Sequence, residues 1–303
     1  MNTTKPNLFD VIVIGGGPGG LSSGLYASRQ GLSTLLIESS LLTGGQMLNT
    51  DIIDNYIGAA TQEAVELSNY MLEDASKYNL QIHEDEKVIR VTKTNDIFTV
   101  KTNKSTTYNS LTVIIAVGSK HTKITNKELK HISYCAVCDA PFYSDLDVTV
   151  VGGGQTAVES ALLLSDIAKS VTLIHRRSKL RNEYEKKSLY KKHNINYMWN
   201  TQVLDIKPIN GKLQLELNNG QYVLFDGLFP CIGQTVDVSF IDSELITQTK
   251  DGKIIVSNLQ KTTTDGLFAI GDVTDFPHQQ VAIAVSQGAI ASLEAYKFIN
   301  SIK

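Results

Sequence analysis

The chain has 303 residues, and its 42% hydrophobic content is enough for about two domains with sizeable cores. A net charge of -3 argues against a surface for nucleic acid or anionic membrane, because both require clustered positive charge. The three cysteines are too few for a secreted disulfide framework, and no apolar run approaches the roughly 18 residues of a membrane span. The first apolar run, Val11 to Ile14, is too short for a signal peptide, so we expect a soluble, cytoplasmic protein.

The first predicted element is a short buried strand, Phe9 to Ile14, followed by a glycine-rich turn and a helix to about Ser28. The turn fits G-x-G-x-x-G in the required context of strand before and helix after. The three glycines permit a tight turn, close approach of a pyrophosphate, and close packing of helix on strand. The residues predicted to bind a dinucleotide here are Gly15, Gly17, Pro18 and Gly20.

The next strand, Thr34 to Ile37, ends in Glu38. A carboxylate at this point can accept hydrogen bonds from a ribose diol and would repel a 2'-phosphate. A surface acid that caps a helix is the alternative interpretation of Glu38. Residues 61–79 then predict an amphipathic helix, and alternating strands run from Val88 to a boundary at Gly118.

Two of the cysteines, Cys135 and Cys138, form a Cys-x-x-Cys pair followed directly by Asp139. In a reducing compartment such a pair is more often catalytic or metal-binding than structural. A thiolate is the nucleophile of disulfide exchange, so Asp139 is a candidate acid/base. Two alternatives are a zinc site that includes His131, although the ligand spacing is unusual, and an Asp139 that only caps a helix. We predict no metal.

The strand, glycine turn and helix recur after the cysteines. Here the turn fits G-x-G-x-x-A, and the following strand ends at His175, at the same offset as Glu38 in the first repeat. Guanidinium groups make bidentate contacts with phosphate, so a basic cluster in place of the acid favours a nucleotide with a 2'-phosphate. A solvated charge run is the alternative. The predicted residues are Gly152, Gly154, Gln155, Thr156, Ala157, His175, Arg176, Arg177 and Arg181.

The last third of the chain returns to strands. Residues 212–225 alternate as a hairpin around Asn218-Asn219-Gly220, and a strand ending at Gly233 marks a second boundary. Cys231 in that strand is predicted to be a small buried hydrophobe. Near the end, a strand runs into Gly271-Asp272, where Asp272 could reach a polyol hydroxyl, and a helix follows from about residue 280 to 298.

These residues together resemble the bacterial-type, low-molecular-weight thioredoxin reductases of the pyridine nucleotide-disulphide oxidoreductase superfamily. The resemblance covers nearly the whole length, in order and spacing as well as content. It is carried by both glycine motifs, Gly44-Gly45-Gln46, Asn55, the Cys-x-x-Cys-Asp element, the His-Arg-Arg cluster and Gly271-Asp272.

The resemblance implies an α/β fold with two Rossmann-like dinucleotide-binding domains of the three-layer ββα sandwich type, the second inserted into the first. Residues 1–116 and 236–303 would form the FAD-binding domain, and residues 117–235 the NADPH-binding domain that carries the disulfide. The NADPH site would be the second glycine motif with the basic cluster. The FAD site would comprise Gly15, Gly17, Pro18, Gly20, Glu38, Gly45, Gln46, Asn55, Val88, Gly118, Gly271, Asp272, Gln280 and Val281.

The resemblance also implies a route for electrons, from NADPH to FAD, then to the Cys135-Cys138 disulfide, and finally to thioredoxin or a similar small redoxin. Cys138 would face the flavin, and Cys135 would attack the partner. Family members are homodimers whose domains rotate about their two connections, which we place near Gly118 and Gly233.

Two other functions remain open. A related flavoenzyme could use the same dithiol on another redoxin or on a small-molecule substrate, although Arg176 and Arg177 favour an NADPH-fed enzyme over oxygen-fed or ferredoxin-fed relatives. A flavin-binding redox sensor or structural protein would keep the nucleotide folds without turnover. The chain departs from the family pattern at Ala140-Pro141, Ser178 and Gln279, and the first departure bears on the choice of protein partner.

Overall fold

The computed structural model describes residues 8–125, 127, 129–180 and 186–303. The chain divides into two compact units. Unit 1 comprises Met1–Lys120 and Thr235–Lys303, and unit 2 comprises His121–Gln234. Unit 2 is therefore a single continuous insertion in the chain of unit 1.

Strands dominate the described part of the chain, and helices α3 and α5 are single turns. The strands are β1 (Leu8–Ile14), β2 (Thr34–Ile37), β3 (Gln81–His83), β4 (Val88–Thr94), β5 (Ile97–Thr102), β6 (Thr107–Ile115), β7 (Lys120–His121), β8 (Asp147–Gly152), β9 (Ser170–His175), β10 (Ile195–Trp199), β11 (Val203–Ile209), β12 (Lys212–Leu217), β13 (Tyr222–Phe225), β14 (Gly227–Cys231), β15 (Gln234–Thr235) and β16 (Leu267–Ala269). The helices are α1 (Pro18–Arg29), α2 (Ala64–Ser76), α3 (Ala136–Asp139), α4 (Gln155–Ser165), α5 (Lys186–Leu189) and α6 (Val281–Ile302).

Unit 1 is built on a sheet in the order β3-β2-β1-β6-β5-β4, with β16 also paired to β6. The β3-β2-β1-β6 part is parallel, whereas β6-β5-β4 is antiparallel. Alternation along β1 separates two cores, because Val11 and Val13 pack with residues of α1 and α6 while Ile12 and Ile14 pack with residues of β4 and β5. This arrangement confirms the predicted α/β fold class.

Helices α1 and α6 pack closely through small residues. A Cβ placed on Gly288 would overlap the carbonyl oxygen of Gly19. The Ser292 hydroxyl donates to the Ser23 carbonyl at 2.9 Å, so hydroxyl groups also bridge the two helices. Close contact fixes α6 beside the glycine turn that begins α1.

Unit 2 repeats the same parallel arrangement on a smaller scale. Its sheet has the order β10-β9-β8-β14, and β11-β12-β13 form a separate antiparallel sheet. Val148 and Val150 of β8 pack with α4, whereas Val151 packs with the antiparallel sheet. The predicted hairpin is confirmed, because β12 and β13 pair with Leu215 opposite Val223.

Local pairing shortens the helix that the pattern predicts over residues 61–79. The segment before α2 pairs with residues 51–53, since the amide of Ile53 donates to the carbonyl of Gln62 at 2.8 Å. At the other end Asn79 takes a left-handed backbone conformation, with φ 59°, which a helix cannot continue. Helix α6 extends beyond the predicted residue 298 to Ile302. None of the helices described here has the length and apolar character needed to cross a membrane.

Candidate functional site

The first glycine turn has two closed positions and one open position. Gly15 has φ +105°, and a Cβ on it would lie 2.5 Å from the Ala116 carbonyl oxygen. A Cβ on Gly20 would overlap the carbonyl oxygen of Gly15. On Gly17 the nearest atom would be the Cα of Gly45, 3.9 Å away. The open space therefore lies at the N-terminus of α1, where a pyrophosphate is expected.

Glu38 lies at the end of β2 and is only 7% exposed. Its Oε2 accepts a hydrogen bond from the Gly16 amide at 2.6 Å, and its Oε1 accepts from the Ser40 amide at 2.7 Å and from the Ser39 hydroxyl at 3.2 Å. The surface-acid interpretation is therefore wrong. A carboxylate has about four lone-pair positions, so these three donors leave room for a ribose hydroxyl.

Asp272 meets two polar side chains from distant parts of unit 1. Its Oδ2 lies 3.1 Å from Gln46 Nε2 and 3.4 Å from the Ser119 hydroxyl, which both can donate. Burial raises the pKa of this carboxyl despite those donors and the nearby Lys253. Ser119 was not predicted as a site residue, because a lone serine after a strand has no sequence signature.

A second polar pair lies at the start of α6. The Asn55 amide group donates to Gln280 Oε1 at 3.1 Å. Two turns further along α6, Gln287 Oε1 accepts from the Gly271 amide at 2.6 Å. Gln287 is 3% exposed, and its Nε2 has no hydrogen-bond partner among the residues described. A buried donor of this kind favours an additional acceptor in this region of unit 1.

Three other predicted FAD-binding residues of unit 1 lie in different surroundings: one in the core, one at a helix start and one in open space. Val88 is 5% exposed and its side chain packs in the core of unit 1, so only its backbone could meet a ligand. Val281 is the first residue of α6. Gly118, directly before Ser119, has φ +66° and open space where a Cβ would lie.

The second glycine turn repeats the first. Gly152 has φ +156°, and a Cβ on it would overlap the Cys231 carbonyl oxygen. Around Gly154 no atom lies within 4 Å of the same position. Gln155 and Thr156 are exposed in the first turn of α4, whereas Ala157 is buried. The open glycine and exposed amides again provide a helix N-terminus suited to phosphate.

His175 occupies the position that Glu38 has in the first repeat. Its ring is 7% exposed and lies where a Cβ of Gly153 would be, just as Glu38 lies against Gly16. The ring also packs edge-to-face on Trp199, with centroids 6.2 Å apart. The two βαβ repeats therefore match in packing as well as in sequence.

A cleft of about 480 Å³ is lined by residues 176–180, which follow His175 in the chain, and by Asn200. None of its basic residues Arg176, Arg177 and Lys179 forms an ion pair within the described part of the chain. The Asn200 amide closes the loop by donating to the Arg177 carbonyl at 3.2 Å. Lys179 and Asn200 were not predicted, and Arg181 lies outside the described residues. Unpaired cations around a cleft fit the binding of a phosphate.

Cys135 and Cys138 form a disulfide, with their Cα atoms 5.3 Å apart. The Cys138 amide donates to the Cys135 sulfur at 3.2 Å, across the first turn of α3. A donor at this position would stabilise negative charge on Cys135 after reduction. Two apolar side chains near the disulfide in sequence, Val137 and Phe142, are 65% and 50% exposed.

Asp139 is held by a serine that was not predicted. The Ser133 hydroxyl donates to Asp139 Oδ2 at 2.5 Å and accepts from the Cys135 amide at 3.2 Å. The Asp139 side chain does not cap the helical turn that follows, so the capping alternative is wrong. Burial, together with the charge of Asp139, raises the pKa of Tyr143 to about 12.

The departure at Ala140-Pro141 fits without distortion. Ala140 is 1% exposed and packs in the core of unit 2, and Pro141 lies in the first turn of the 3-10 helix Ala140–Tyr143, where its ring is tolerated.

Cys231 is half-buried and lies 3.5 Å from the Ser160 hydroxyl; burial raises the pKa of its thiol. His131 is exposed, and no three His, Cys, Asp or Glu side chains of the described chain cluster as metal ligands would.

Comparison with known proteins places the chain in a family. Residues 9–288 match the model of the family described as pyridine nucleotide-disulphide oxidoreductase. The thioredoxin reductases of Bacillus subtilis and Listeria monocytogenes are each 33% identical over 312 residues, covering 99% of this chain and 98% and 97% of those proteins. The crystal structure of thioredoxin reductase from Streptococcus pyogenes is 33% identical, with a TM-score of 0.90, and covers 98% of this chain and 100% of that one. The chain therefore belongs to the pyridine nucleotide-disulphide oxidoreductase family.

Proposed function

We propose that this protein is an NADPH-dependent thioredoxin reductase that contains FAD and works as a cytoplasmic homodimer. The observation that carries the proposal is the Cys135-Cys138 disulfide with Asp139 beside it, in the same unit as the basic cleft. The names of its full-length relatives support the same activity.

We assign FAD to unit 1. The open position at Gly17 would accept the pyrophosphate, and Glu38 would accept a hydrogen bond from the adenosine ribose. Asp272, which Gln46 and Ser119 already contact, would face the ribityl chain. When bound, FAD would supply the two-electron relay between nicotinamide and the disulfide.

We assign NADPH to unit 2. Gly154 and the N-terminus of α4 would bind its pyrophosphate, and Arg176 and Arg177 would bind the 2'-phosphate. Ser178 supports this assignment, because an uncharged residue between the arginines and Lys179 adds no negative charge to the cleft.

In the oxidative half of the proposed cycle, the Cys135 thiolate of the already reduced Cys135-Cys138 pair attacks one sulfur of the redoxin disulfide; a mixed disulfide forms and the other redoxin sulfur leaves as a thiolate. Cys138 then attacks the Cys135 sulfur, which releases the redoxin dithiol and restores the Cys135-Cys138 disulfide. Asp139 would act as the general acid that donates a proton to the departing redoxin thiolate. Exposed Val137 and Phe142 provide apolar surface for the redoxin. The net reaction converts NADPH, a proton and a redoxin disulfide into NADP⁺ and a redoxin dithiol.

The test is NADPH oxidation by the purified protein with thioredoxin of the source organism or with an artificial disulfide. Cys138→Ser should abolish turnover of both while the flavin remains reducible by NADPH, and the matched control Cys231→Ser should retain activity. If the protein reduces the artificial disulfide but not thioredoxin, its substrate is another redoxin or a small molecule. Turnover that survives in Cys138→Ser would contradict the proposal.

A second arm tests the nucleotide. Replacing Arg176 and Arg177 with Ala should weaken NADPH by about 10- to 150-fold and hardly affect NADH, because a hydrogen bond to a charged group contributes about 1.5 to 3 kcal/mol. Lys123→Ala, which removes an exposed cation elsewhere in unit 2, is the control. Equal loss of both nucleotides would refute the assignment of the cleft.

A further inference from the structure

Unit 1 contains a buried cluster of polar side chains that have no role in the function proposed above. Its centre is Glu86, which is 5% exposed. The Thr102 hydroxyl donates to Glu86 Oε1 at 2.6 Å, and the Tyr108 hydroxyl lies 3.3 Å from the same atom. His83 Nδ1 lies 3.1 Å from Glu86 Oε2 and 2.9 Å from the Tyr108 hydroxyl. We call these four residues the Glu86 cluster.

A buried carboxylate is costly compared with an apolar side chain of similar size, even when it is well hydrogen-bonded. Tyr108 of the cluster packs in a core of unit 1 that is otherwise apolar and includes Val88 and Val91. The Glu86 cluster therefore needs a reason other than packing, and the backbone around it supplies one.

The backbone of Glu38 is hydrogen-bonded to both ends of the segment 83–86, which carries His83 and Glu86 of the cluster. The Glu38 amide donates to the His83 carbonyl at 2.8 Å, and the Glu86 amide donates to the Glu38 carbonyl at 2.9 Å. The side chains of the same two residues, His83 and Glu86, contact each other within the cluster. Both backbone groups of Glu38 are thus bonded to residues that the cluster fixes.

The segment also holds the loop that follows Glu38. The Asp85 amide donates to the Ser40 carbonyl at 2.9 Å. Glu84 Oε1 accepts from the Thr43 amide at 2.8 Å and from the Thr43 hydroxyl at 2.6 Å. Residues 38–43 have no regular secondary structure of their own, so residues 83–86 supply much of their support.

We propose that the Glu86 cluster is a positioning element that sets the Glu38 carboxylate for the ribose of the adenosine. The cluster does not touch the ribose itself; it acts through the backbone of Glu38 and of the loop after it. The proposal rests on the assignment of FAD to unit 1. A binding group must be held to within about 0.5 Å by the residues behind it, and these hydrogen bonds provide that constraint.

A double-mutant cycle separates positioning from general stability. FAD is titrated into apoprotein of the wild type, Glu86→Ala, Glu38→Ala and the double variant, and the dissociation constants are compared. We expect Glu86→Ala to weaken FAD binding by about 5- to 20-fold with Glu38 present and by less than about 2-fold in Glu38→Ala. Glu86→Gln, which can still accept from Thr102, should retain most of the affinity.

Tyr108→Phe is the milder variant for the same cycle, in case Glu86→Ala does not fold. It removes one hydroxyl and keeps the ring, which packs edge-to-face on Phe9 with centroids 6.2 Å apart. Glu294→Ala is the matched control, because Glu294 is a buried acid of unit 1 that pairs with Lys261 and Lys297 instead. It should lower the thermal midpoint without coupling to Glu38.

Equal losses of affinity in the presence and absence of the Glu38 carboxylate would overturn the inference and leave the cluster with a role in stability alone. A wild-type apoprotein that binds no FAD would overturn the proposed function as well. A wild type that binds FAD but shows additive losses overturns the positioning role only, so the two failures are distinguishable.

Discussion

At the scale of single residues, the Ser133 hydroxyl joins the proposed acid/base to the redox centre. It bonds the Asp139 carboxylate and the Cys135 amide at the same time, and it is 5% exposed. A short bond of this kind fixes the orientation of the carboxylate relative to α3. Ser133 is therefore a positioning residue for Asp139 in the proposed cycle.

We expect Ser133→Ala to slow reduction of a disulfide substrate by about 10-fold, because Asp139 loses the donor that orients it. Reduction of the bound flavin by NADPH should keep its rate, so rapid-mixing measurements of the two half-reactions resolve the effect. Ser133→Thr keeps a hydroxyl and should recover most of the rate. Equal slowing of both half-reactions would instead indicate a general defect of the fold.

Asp272 provides a prediction about pH. Burial raises its pKa in the folded apoprotein above the unfolded value of about 3.8, so the folded state binds this proton more tightly. The group's contribution to stability is therefore greatest below the unfolded pKa and is lost as the pH rises through the folded pKa. At pH 7 the buried charge is a cost.

Asp272→Asn removes that charge, so the apoprotein of this variant should unfold at a higher temperature than the wild type at pH 7. The difference should shrink as the pH falls through the raised pKa of the folded wild type, because its carboxyl then becomes protonated and loses its charge. Thermal unfolding between pH 4 and 8 measures it, with the exposed Asp251→Asn as control. A variant that is less stable at pH 7 would show that the hydrogen bonds of Asp272 outweigh the cost of its burial.

At the scale of elements, the contact between α1 and α6 requires a glycine at Gly288, whereas Gly24 of α1 lies against a side chain outside that contact. A Cβ on Gly288 would meet backbone, the carbonyl oxygen of Gly19, which cannot move without separating the helices. A Cβ on Gly24 would meet only the end of the Leu80 side chain, which can rotate away. The two positions therefore form a matched pair.

Gly288→Ala should destabilise the protein by about 1 to 3 kcal/mol, as overpacking of a core commonly does. Gly24→Ala should be nearly neutral, because alanine gains about 1 kcal/mol of helix propensity that offsets the movement of Leu80. Urea unfolding of both variants gives the comparison. Similar losses would mean that the space beside α1 is equally rigid at both positions.

The βαβ repeats could be predicted because their signals are local. A short apolar run, three glycines and a helix follow one another within about thirty residues, and Gly15 and Gly152 take a positive φ, which the predicted tight turn requires of a glycine. The polar contacts around the site could not be predicted in this way. Asn55 and Gln280 are separated by 225 positions, and nothing in either residue type predicts that the two are in contact.

The residues that sequence reasoning missed are ordinary ones in special places. Ser119, Ser133 and Glu86 stand in no motif, and their roles follow from side chains brought to them by the fold. The reverse holds for Val88, a predicted cofactor residue whose side chain is in the core. Position along the chain indicates a site more reliably than it indicates which atoms face it.

At the scale of the whole molecule, the insertion of unit 2 is local in space as well as in sequence. Its two ends meet, because the Thr122 amide donates to the Gly233 carbonyl at 3.0 Å and Gln234 contacts His121 at 3.2 Å. Strands β7 and β15, where the chain crosses between units, pair with each other. A segment with adjacent ends can be removed without leaving a long gap.

Unit 2 also has its own cores. One lies between its parallel sheet and α4, and the other lies under its antiparallel sheet; both are formed wholly by residues of unit 2. A fragment of residues 121–234 should therefore fold by itself and unfold cooperatively. Because the basic cleft lies within it, the fragment should also bind adenosine 2',5'-bisphosphate.

Circular dichroism on heating and calorimetric titration test this prediction directly. The same fragment with Arg176 and Arg177 replaced by Ala should melt at a similar temperature but bind the bisphosphate about 10- to 150-fold more weakly, since it loses charge-assisted contacts and little packing. FAD should not bind either fragment tightly, because the residues assigned to FAD belong to unit 1. A fragment that melts without cooperativity would show that unit 2 depends on unit 1 for its stability, whereas a folded fragment that binds no bisphosphate would place the 2'-phosphate elsewhere.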